Sequence, residues 1–410
     1  MNEKEIRSKV LAAVDDLRDE VIRFTQQVVQ TRSIVNEEHE AVTNLVRNKY
    51  QSLGLETHLV EEVKTKVNVV GHLKGIGGEK SIGYYSHHDT MPIEEPSKWK
   101  HDPWSGAIEG GKIHGVGSAD CKAGIACAVG MVQAFQKAGV RLKGDLTLVS
   151  CMGEVTSEGV GMKAVVNAGH FNVSAAVQGD PTPSELGVDS ITTNHFGLLV
   201  LEVVIHGKPG HALFLGYGVN SILKLPEVLK ALSKTEIPHE PYKMYPTHPF
   251  VYLDHVTAGG ATGFTPVKSS IIVRVHLLPR QTKEDGLKAI QNSLDKLKKE
   301  DPELDIEVKE LAWRVGDEVG DWEKTQELLG VIQNVAVELR GKKMTPVCMT
   351  APAMAHYVIK AGIPTIVWGP GRGLSSDAHR SNEWVGIEDI IEVTKAYCLI
   401  AMDYLGFEVQ

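Results

Sequence analysis

Five short stretches, spread over almost the whole chain, each set a metal-binding side chain beside turn-forming residues. They are Ser86-His87-His88-Asp89, Gly117-Ser118-Ala119-Asp120, Gly153-Glu154, Gly179-Asp180-Pro181-Thr182 and Ala378-His379-Arg380. Imidazoles and carboxylates are the hard and borderline donors that suit a catalytic divalent ion. Most of these stretches follow an apolar, strand-like run, and together they read as one metal site built from several strand ends. Residues two apart share a side of a strand. His87 can therefore bind metal while Asp89 orients its other ring nitrogen; His88 points the other way. Taken singly, each residue has a plainer reading. His87 is then a hydrogen-bonded structural histidine, Asp120 the N-cap of the following helix, Asp180 the start of a Pro181-Thr182-Pro183 turn, and His379 a surface loop residue. A capping carboxylate with its second oxygen free can also bridge metals, so the two readings of Asp120 are compatible. Glu154 reads as a surface turn carboxylate, a reading that its place after an apolar strand weighs against.

The elements that position these residues alternate in the first half of the chain. Apolar residues at helical spacing (Val10, Val14, Leu17, Val21, Phe24, Val28) predict a helix from about Lys4 to Thr31. Strands are predicted at Val67–Leu73, Ser81–His87, Asp145–Met152 and Ala175–Gly179, with a buried helix over Cys121–Ala138. Such alternation implies an α/β fold with a mostly parallel sheet. Sites of such sheets gather beyond the carboxyl ends of the strands, where His87, Glu154 and Asp180 fall. From about Ser190 the order becomes strand–helix–strand–strand–helix–strand: Leu199–His206, Asn220–Leu232, Val251–Val256, Ser269–Leu278, Lys283–Lys299 and Leu304–Glu310. That is the split unit of a ferredoxin-like α+β domain. Patterns of the first kind return at Thr325–Glu338 and Thr365–Gly369. The expected organisation is a discontinuous catalytic domain (1–188 and 313–410) with an inserted domain at 189–312.

Composition agrees with an enzyme of this kind. The chain has 410 residues, 42% of them hydrophobic, and a net charge of −9 that argues against nucleic acid. Five cysteines without a Cys-x-x-Cys spacing favour reduced thiols. Cys121 and Cys151, near the expected site, read as packing residues rather than soft ligands. Neither a signal-peptide pattern nor a membrane-length apolar run is present, so a cytoplasmic protein is expected. Gly75-Ile76-Gly77-Gly78 precedes a strand rather than a helix, which removes the physical basis for phosphate binding.

The residues also carry a resemblance. Ser86-His87-His88-Asp89-Thr90-Met91-Pro92, Asp102-Pro103-Trp104-Ser105-Gly106, Gly115 to Lys122 and Gly179-Asp180-Pro181-Thr182 resemble the co-catalytic zinc aminoacylase and carboxypeptidase family. Acetylornithine deacetylase, succinyl-diaminopimelate desuccinylase and glutamate carboxypeptidase belong to that family. Gly207-Lys208-Pro209-Gly210-His211 with Asn220, then Gly369-Pro370-Gly371, Ala378-His379 and Asn382-Glu383, extend the match over nearly the full length. The resemblance implies a two-zinc catalytic domain and an inserted ferredoxin-like lid that forms a homodimer. It further implies metal ligation by His87, Asp120 (bridging), Asp180 and His379, with Glu154 as general base. By the same resemblance His211 reaches the reaction centre of the partner subunit, and Asn220, His276 and Gly371 are expected at the substrate.

Departures from the family pattern qualify these expectations. Two consecutive acidic residues are usual where this chain has Glu154-Val155, and valine cannot bind a cation; Glu158, one helical turn on, is the available substitute. One firmly bound divalent ion (zinc, manganese or cobalt) per subunit is therefore expected, at His87, Asp120 and Asp180. The second position keeps only Asp120 and His379. Gly115-Val116-Gly117 lacks a common arginine, His276 stands where a lid arginine is often found, and Gly263 replaces a frequent asparagine. Three functions follow: hydrolysis of an amide in a small N-acylated amino acid or short peptide, hydrolysis of another C–N bond such as an aryl amine or ureido group, or ligand binding by a weakened homologue. Val155, Gly263 and His276 weigh toward the second reading, and retention of Glu154 weighs against the third. In the hydrolytic readings a divalent ion lowers the pKa of water from 15.7 to about 7. Glu154 carries the proton, and a histidine such as His211 steadies the oxyanion.

Overall fold

The run Ser81–His87 forms a strand buried at every residue but its first, in the middle of a sheet whose order is Glu56–Glu61, Val67–Leu73, Asp145–Cys151, Ser81–His87, Ala175–Gln178, Thr365–Val367 and Ser190–His195. These relations come from a computed structural model that describes residues 2–35, 37–61, 66–93, 95–155, 159–182, 186–211, 217–244, 248–260, 264–350 and 354–409. The four strands from Asp145–Cys151 to Thr365–Val367 run parallel, and Val67–Leu73 and Ser190–His195 flank them antiparallel. A central parallel strand is covered on both faces, which is why these runs are continuously apolar rather than alternating.

The sheet belongs to the first of two compact units, Met1–Thr193 with Val319–Val347 and Ala353–Gln410. Its main core joins the helices Ala123–Ala138 and Ile387–Leu405 to one sheet face. Within Ala123–Ala138 only Gln136 and Lys137 reach solvent. Its start lies very close to the sheet: a Cβ on Gly124 would sit 2.3 Å from the Gly179 carbonyl oxygen and 2.4 Å from Ser86 Oγ. Only glycine admits that approach, which draws the residue before Asp180 against the helix that follows Asp120.

Two local expectations are corrected. The predicted helix Lys4–Thr31 is two helices, Glu3–Asp16 and Arg18–Gln30, divided at Leu17. The apolar spacing runs unbroken across the division, so periodicity alone could not reveal it. Asp120 does not cap the buried helix. It sits in an irregular turn, Ser118–Lys122, and the cap position is Lys122.

The second unit, Asn194–Glu318 with Cys348–Pro352, holds a four-stranded antiparallel sheet in the order Phe250–Ala258, Lys268–Leu277, Gly197–His206, Asp305–Arg314. Strict alternation along Lys268–Leu277 buries Ser269, Ile271, Val273, Val275 and Leu277 beneath the helices Ser221–Ser233 and Lys283–Glu300. The latter helix starts in a capping box, Thr282 with Asp285. The strand–helix order and the sheet order are those of a ferredoxin-like unit. Among the described residues, no helix is long and apolar enough to cross a membrane.

Candidate metal centre

His87 ends its strand, Asp180 follows Ala175–Gln178 by two residues, and Glu154 follows Asp145–Cys151 by three. Since the three strands are parallel, their carboxyl ends face the same way. Asp120 arrives from the turn before the buried helix, and His379 from a loop beyond Thr365–Val367. Two contacts fix the Asp120 turn. The His87 backbone N–H donates to Cys121 Sγ at 3.1 Å. The buried Glu383 carboxylate accepts the backbone N–H groups of Gly117 (2.9 Å), Ala119 (2.9 Å) and Asp120 (3.0 Å). The His379 loop holds Asp377, His379 and Asn382 at positive φ (53°, 61° and 71°), a backbone strain that functional loops often store. Asn382 anchors it, accepting from Lys100 N at 2.6 Å and donating to Lys98 O at 3.0 Å.

The side chains converge. His87 Nε2 lies 3.0 Å from Asp120 Oδ1, and His379 Nε2 lies 3.1 Å from Asp120 Oδ2. One donor atom from each of His87, Asp120, Cys121 and Asp180 falls within 4.8 Å of the others. His87 Nδ1 sits 3.0 Å from the backbone oxygen of Asp89 and 3.4 Å from its Oδ1. Asp89 Oδ2 accepts from Val155 N at 3.2 Å. Glu154 Oε1 accepts from Met354 N at 3.0 Å. Asp180 accepts from the Gln178 amide through Oδ2, while its buried Oδ1 has no hydrogen-bond partner among the described residues.

Electrostatics reflect crowded negative charge out of water. Burial raises the Glu154 carboxyl well above the usual range, with the charges of Asp180, Asp89 and Asp120 adding to it. Burial likewise pushes Asp180 up to about 6 and Glu383 up to about 7. Asp120 goes the other way: burial opposes its ionisation, but the hydrogen bonds from His379 and His87 outweigh it and hold the pKa low. Burial keeps the Cys121 thiol protonated and holds His88, paired with Ser150 Oγ at 2.9 Å, neutral with a pKa of about 3.

This donor set fits a divalent cation. Two imidazoles and two carboxylates, one with an unpaired buried oxygen, are the ligand types that such ions take. A cation would also offset the burial, and the neighbouring negative charge added to it, that push Asp180 and Glu154 upward. His87, Asp120 and Asp180 would hold one ion, and Asp120 and His379 offer a thinner second position. Val155 places only an apolar side chain at the adjoining cavity of about 370 Å³, which Met91, Trp99, His379 and Arg380 also line. Glu158 lies outside the described residues.

The remaining predicted residues are Gly371, His211, Asn220 and His276. A Cβ on Gly371 (φ 120°) would lie 3.2 Å from Pro181 and 3.3 Å from Ala119, beside the turns that carry Asp180 and Asp120. His211, Asn220 and His276 all belong to the second unit. His211 is exposed and forms an isolated bridge with Phe264. Asn220 Oδ1 caps the helix Ser221–Ser233 through Ile222 N at 2.9 Å. His276 stacks on Phe250, ring centroids 4.4 Å apart, with Nδ1 2.8 Å from Thr350 O. Gly263 lies outside the described residues. Sequence reasoning missed the role of Glu383. It was visible only as the end of Asn382-Glu383, four residues past His379.

Against known proteins, residues 83–403 match the profile of Peptidase family M20/M25/M40. The N-formyl-4-amino-5-aminomethyl-2-methylpyrimidine deformylase of Bacillus subtilis (strain 168) is 24% identical over 425 residues, 96% of this chain and 95% of the relative. Acetylornithine deacetylase of Proteus mirabilis (strain HI4320) is 27% identical over 401 residues, 91% of this chain and 94% of the relative. The fold is similar to the crystal structure of human carnosine dipeptidase 1, with a TM-score of 0.77 at 15% identity, covering 98% of this chain and 99% of that one. These findings favour neither the aryl-amine nor the binding-protein alternative.

Proposed function

The chain belongs to peptidase family M20/M25/M40 and is a metal-dependent hydrolase of C–N bonds, and we propose that it cleaves the amide of a small N-acylated amino acid or short peptide, with Glu154 as general base. The observation that carries this reading is the pair of imidazoles on the two oxygens of Asp120, with buried Asp180 and half-buried Glu154 beside them. A divalent ion (zinc, manganese or cobalt) held there supplies a Lewis acid and lowers the pKa of water from 15.7 to about 7. Asp89 and its backbone carbonyl orient His87 through Nδ1. Glu154, made more basic by burial, takes a proton from the attacking water and returns it to the leaving nitrogen, so the C–N bond breaks to carboxylate and amine. Met354 N steadies one Glu154 oxygen and leaves the other for the proton.

Arg380 among the cavity residues supports a substrate that carries a carboxylate; Lys98, also in the lining, is paired with Glu95. The names of the two relatives, a deformylase and a deacetylase, support a small acyl group. We assign one firmly bound ion per chain, because Val155 offers no donor. We also assign a homodimer in which His211 of one subunit serves the other's site, steadying the oxyanion. A reducing, cytoplasmic setting accords with five free, buried cysteines. Metal-reconstituted enzyme should be assayed on N-formyl and N-acetyl amino acids, dipeptides and aromatic amines, with Glu154→Gln as control. Amide cleavage that falls by on the order of 10²–10⁴ in the control is expected. Deamination of the aromatic amines, or equal turnover by the variant, would overturn the reading.

A further inference from the structure

Three histidines that take no part in the chemistry above lie together at the far end of the sheet. His58 and His72 are on the adjacent antiparallel strands Glu56–Glu61 and Val67–Leu73, where His58 faces Val70 and Glu56 faces His72. The two histidines are thus diagonal neighbours on one face. His170 joins them from the connection after Val160–Asn167, where Gly169 at φ 76° turns the chain back and His170 N bonds to Val165 O at 3.1 Å. The His58 and His170 rings stack with centroids 4.4 Å apart, and His72 lies 5.5 Å and 6.0 Å from them.

We propose that His58, His72 and His170 form a second metal site, for a divalent ion of zinc, copper or nickel type, separate from the catalytic centre. One ring nitrogen from each lies within 4.8 Å of the others. Ligands on a tetrahedral zinc at about 2.0–2.1 Å stand roughly 3.3 Å apart, so the site closes by side-chain rotation that unstacks His58 from His170. Two of the rings are already held through one nitrogen, as metal-binding histidines usually are. His58 Nε2 is 3.2 Å from Glu56 Oε1, and His72 Nδ1 is 3.1 Å from Thr147 Oγ1. Burial, then the neighbouring histidines, lower the pKa of His72, and the same pair of causes lowers that of His170. Both rings therefore keep a lone pair at neutral pH. All three are half-buried, and His72 and His170 border a cavity of about 160 Å³ that leaves room for a fourth, exchangeable ligand. Purely imidazole donors select borderline ions over magnesium or calcium, which take oxygen.

The location keeps the two centres apart. His72 pairs with Thr147, near the amino end of Asp145–Cys151, whereas His87, Glu154 and Asp180 follow the carboxyl ends. An ion here would tie both strands to the connection that leads into Ala175–Gln178.

The test is residue-resolved carbethoxylation of the full chain, holding its catalytic metal, with and without added zinc. One further equivalent of zinc should slow modification of His58, His72 and His170 together, by tenfold or more at saturation. In His170→Gln, one zinc per chain should be lost at equilibrium dialysis, protection of His58 and His72 should vanish, and amide hydrolysis should persist. Unchanged modification rates at saturating zinc in the wild-type protein would overturn the site, whatever the variant does. Equal zinc content in wild type and a folded His170→Gln would do the same.

Discussion

Glu383 Oε1 accepts the backbone N–H of Asp120 at 3.0 Å, so a buried carboxylate 263 residues away sets the pose of the residue between the two imidazoles. The same side chain also accepts from Gly117 and Ala119. Glu383→Ala leaves these N–H groups without their acceptor, at about 1–3 kcal/mol for each that stays buried and unpaired. It should lower metal affinity by roughly 10–100-fold, the usual cost of losing a group that positions a metal ligand. Chelator competition read beside thermal unfolding checks both effects. Wild-type metal affinity in a folded Glu383→Ala would show that the Asp120 turn holds itself.

Gly124 gives a test of packing against propensity. Alanine gains about 1 kcal/mol of helix propensity over glycine, but its Cβ would meet the Gly179 carbonyl oxygen at 2.3 Å. Because that atom is backbone, relief requires moving the residue that precedes Asp180. Overpacking of this kind costs about 1–3 kcal/mol, so Gly124→Ala should lower stability on balance and weaken metal retention. Denaturant unfolding with and without metal measures it, and a stabilised variant would show that the helix start has room to shift.

Glu154→Gln should keep the fold and the metal while turnover falls by on the order of 10²–10⁴, the usual worth of a positioned acid–base group. The substitution is nearly isosteric and keeps an oxygen for Met354 N. Metal content measured beside kcat decides the matter. Near-normal turnover in metal-replete protein would remove Glu154 from the proton transfer.

Much of this site could be read before the fold was known, and the limits have physical reasons. His87, Glu154 and Asp180 were legible because a short apolar run followed by a polar turn is a local signal, and parallel sheets gather their sites at such turns. The ferredoxin-like unit was legible because its strands alternate and its helices are amphipathic. Glu383 was not, since its partners are backbone N–H groups, which leave no trace in residue type. The division at Leu17 was hidden for a related reason. No proline or glycine marks it, and the helices on either side bury the same kinds of residue.

Val155 bears on the number of ions. Its backbone N–H is spent on Asp89 Oδ2 and its side chain has no donor atom, leaving the second position with Asp120 and His379, short of the four ligands usual for zinc. Dialysis against a mild chelator should leave about one ion per chain, and Val155→Glu should raise that number. Two ions retained by the wild type, with no further gain in Val155→Glu, would mean that Glu158 or another group completes the second position.

His211 belongs to the unit Asn194–Glu318, whereas every proposed ligand belongs to the other unit, and two routes to the metal centre can be distinguished, from its own subunit or from a second one. Mixing His211→Ala subunits with Glu154→Gln subunits separates these routes. In a homodimer with His211 acting in trans, each mixed dimer regains one site holding both groups. Free exchange makes about half of all dimers mixed, so activity should rise to about a quarter of wild type, given the paired symmetry of such dimers. If His211 acts within its own subunit, every site in every mixture lacks one of the two groups and activity stays at the parental level. Light scattering establishes the dimer, and differently tagged subunits establish exchange. Parental activity after verified exchange would rule out action in trans and leave His211 to its own subunit.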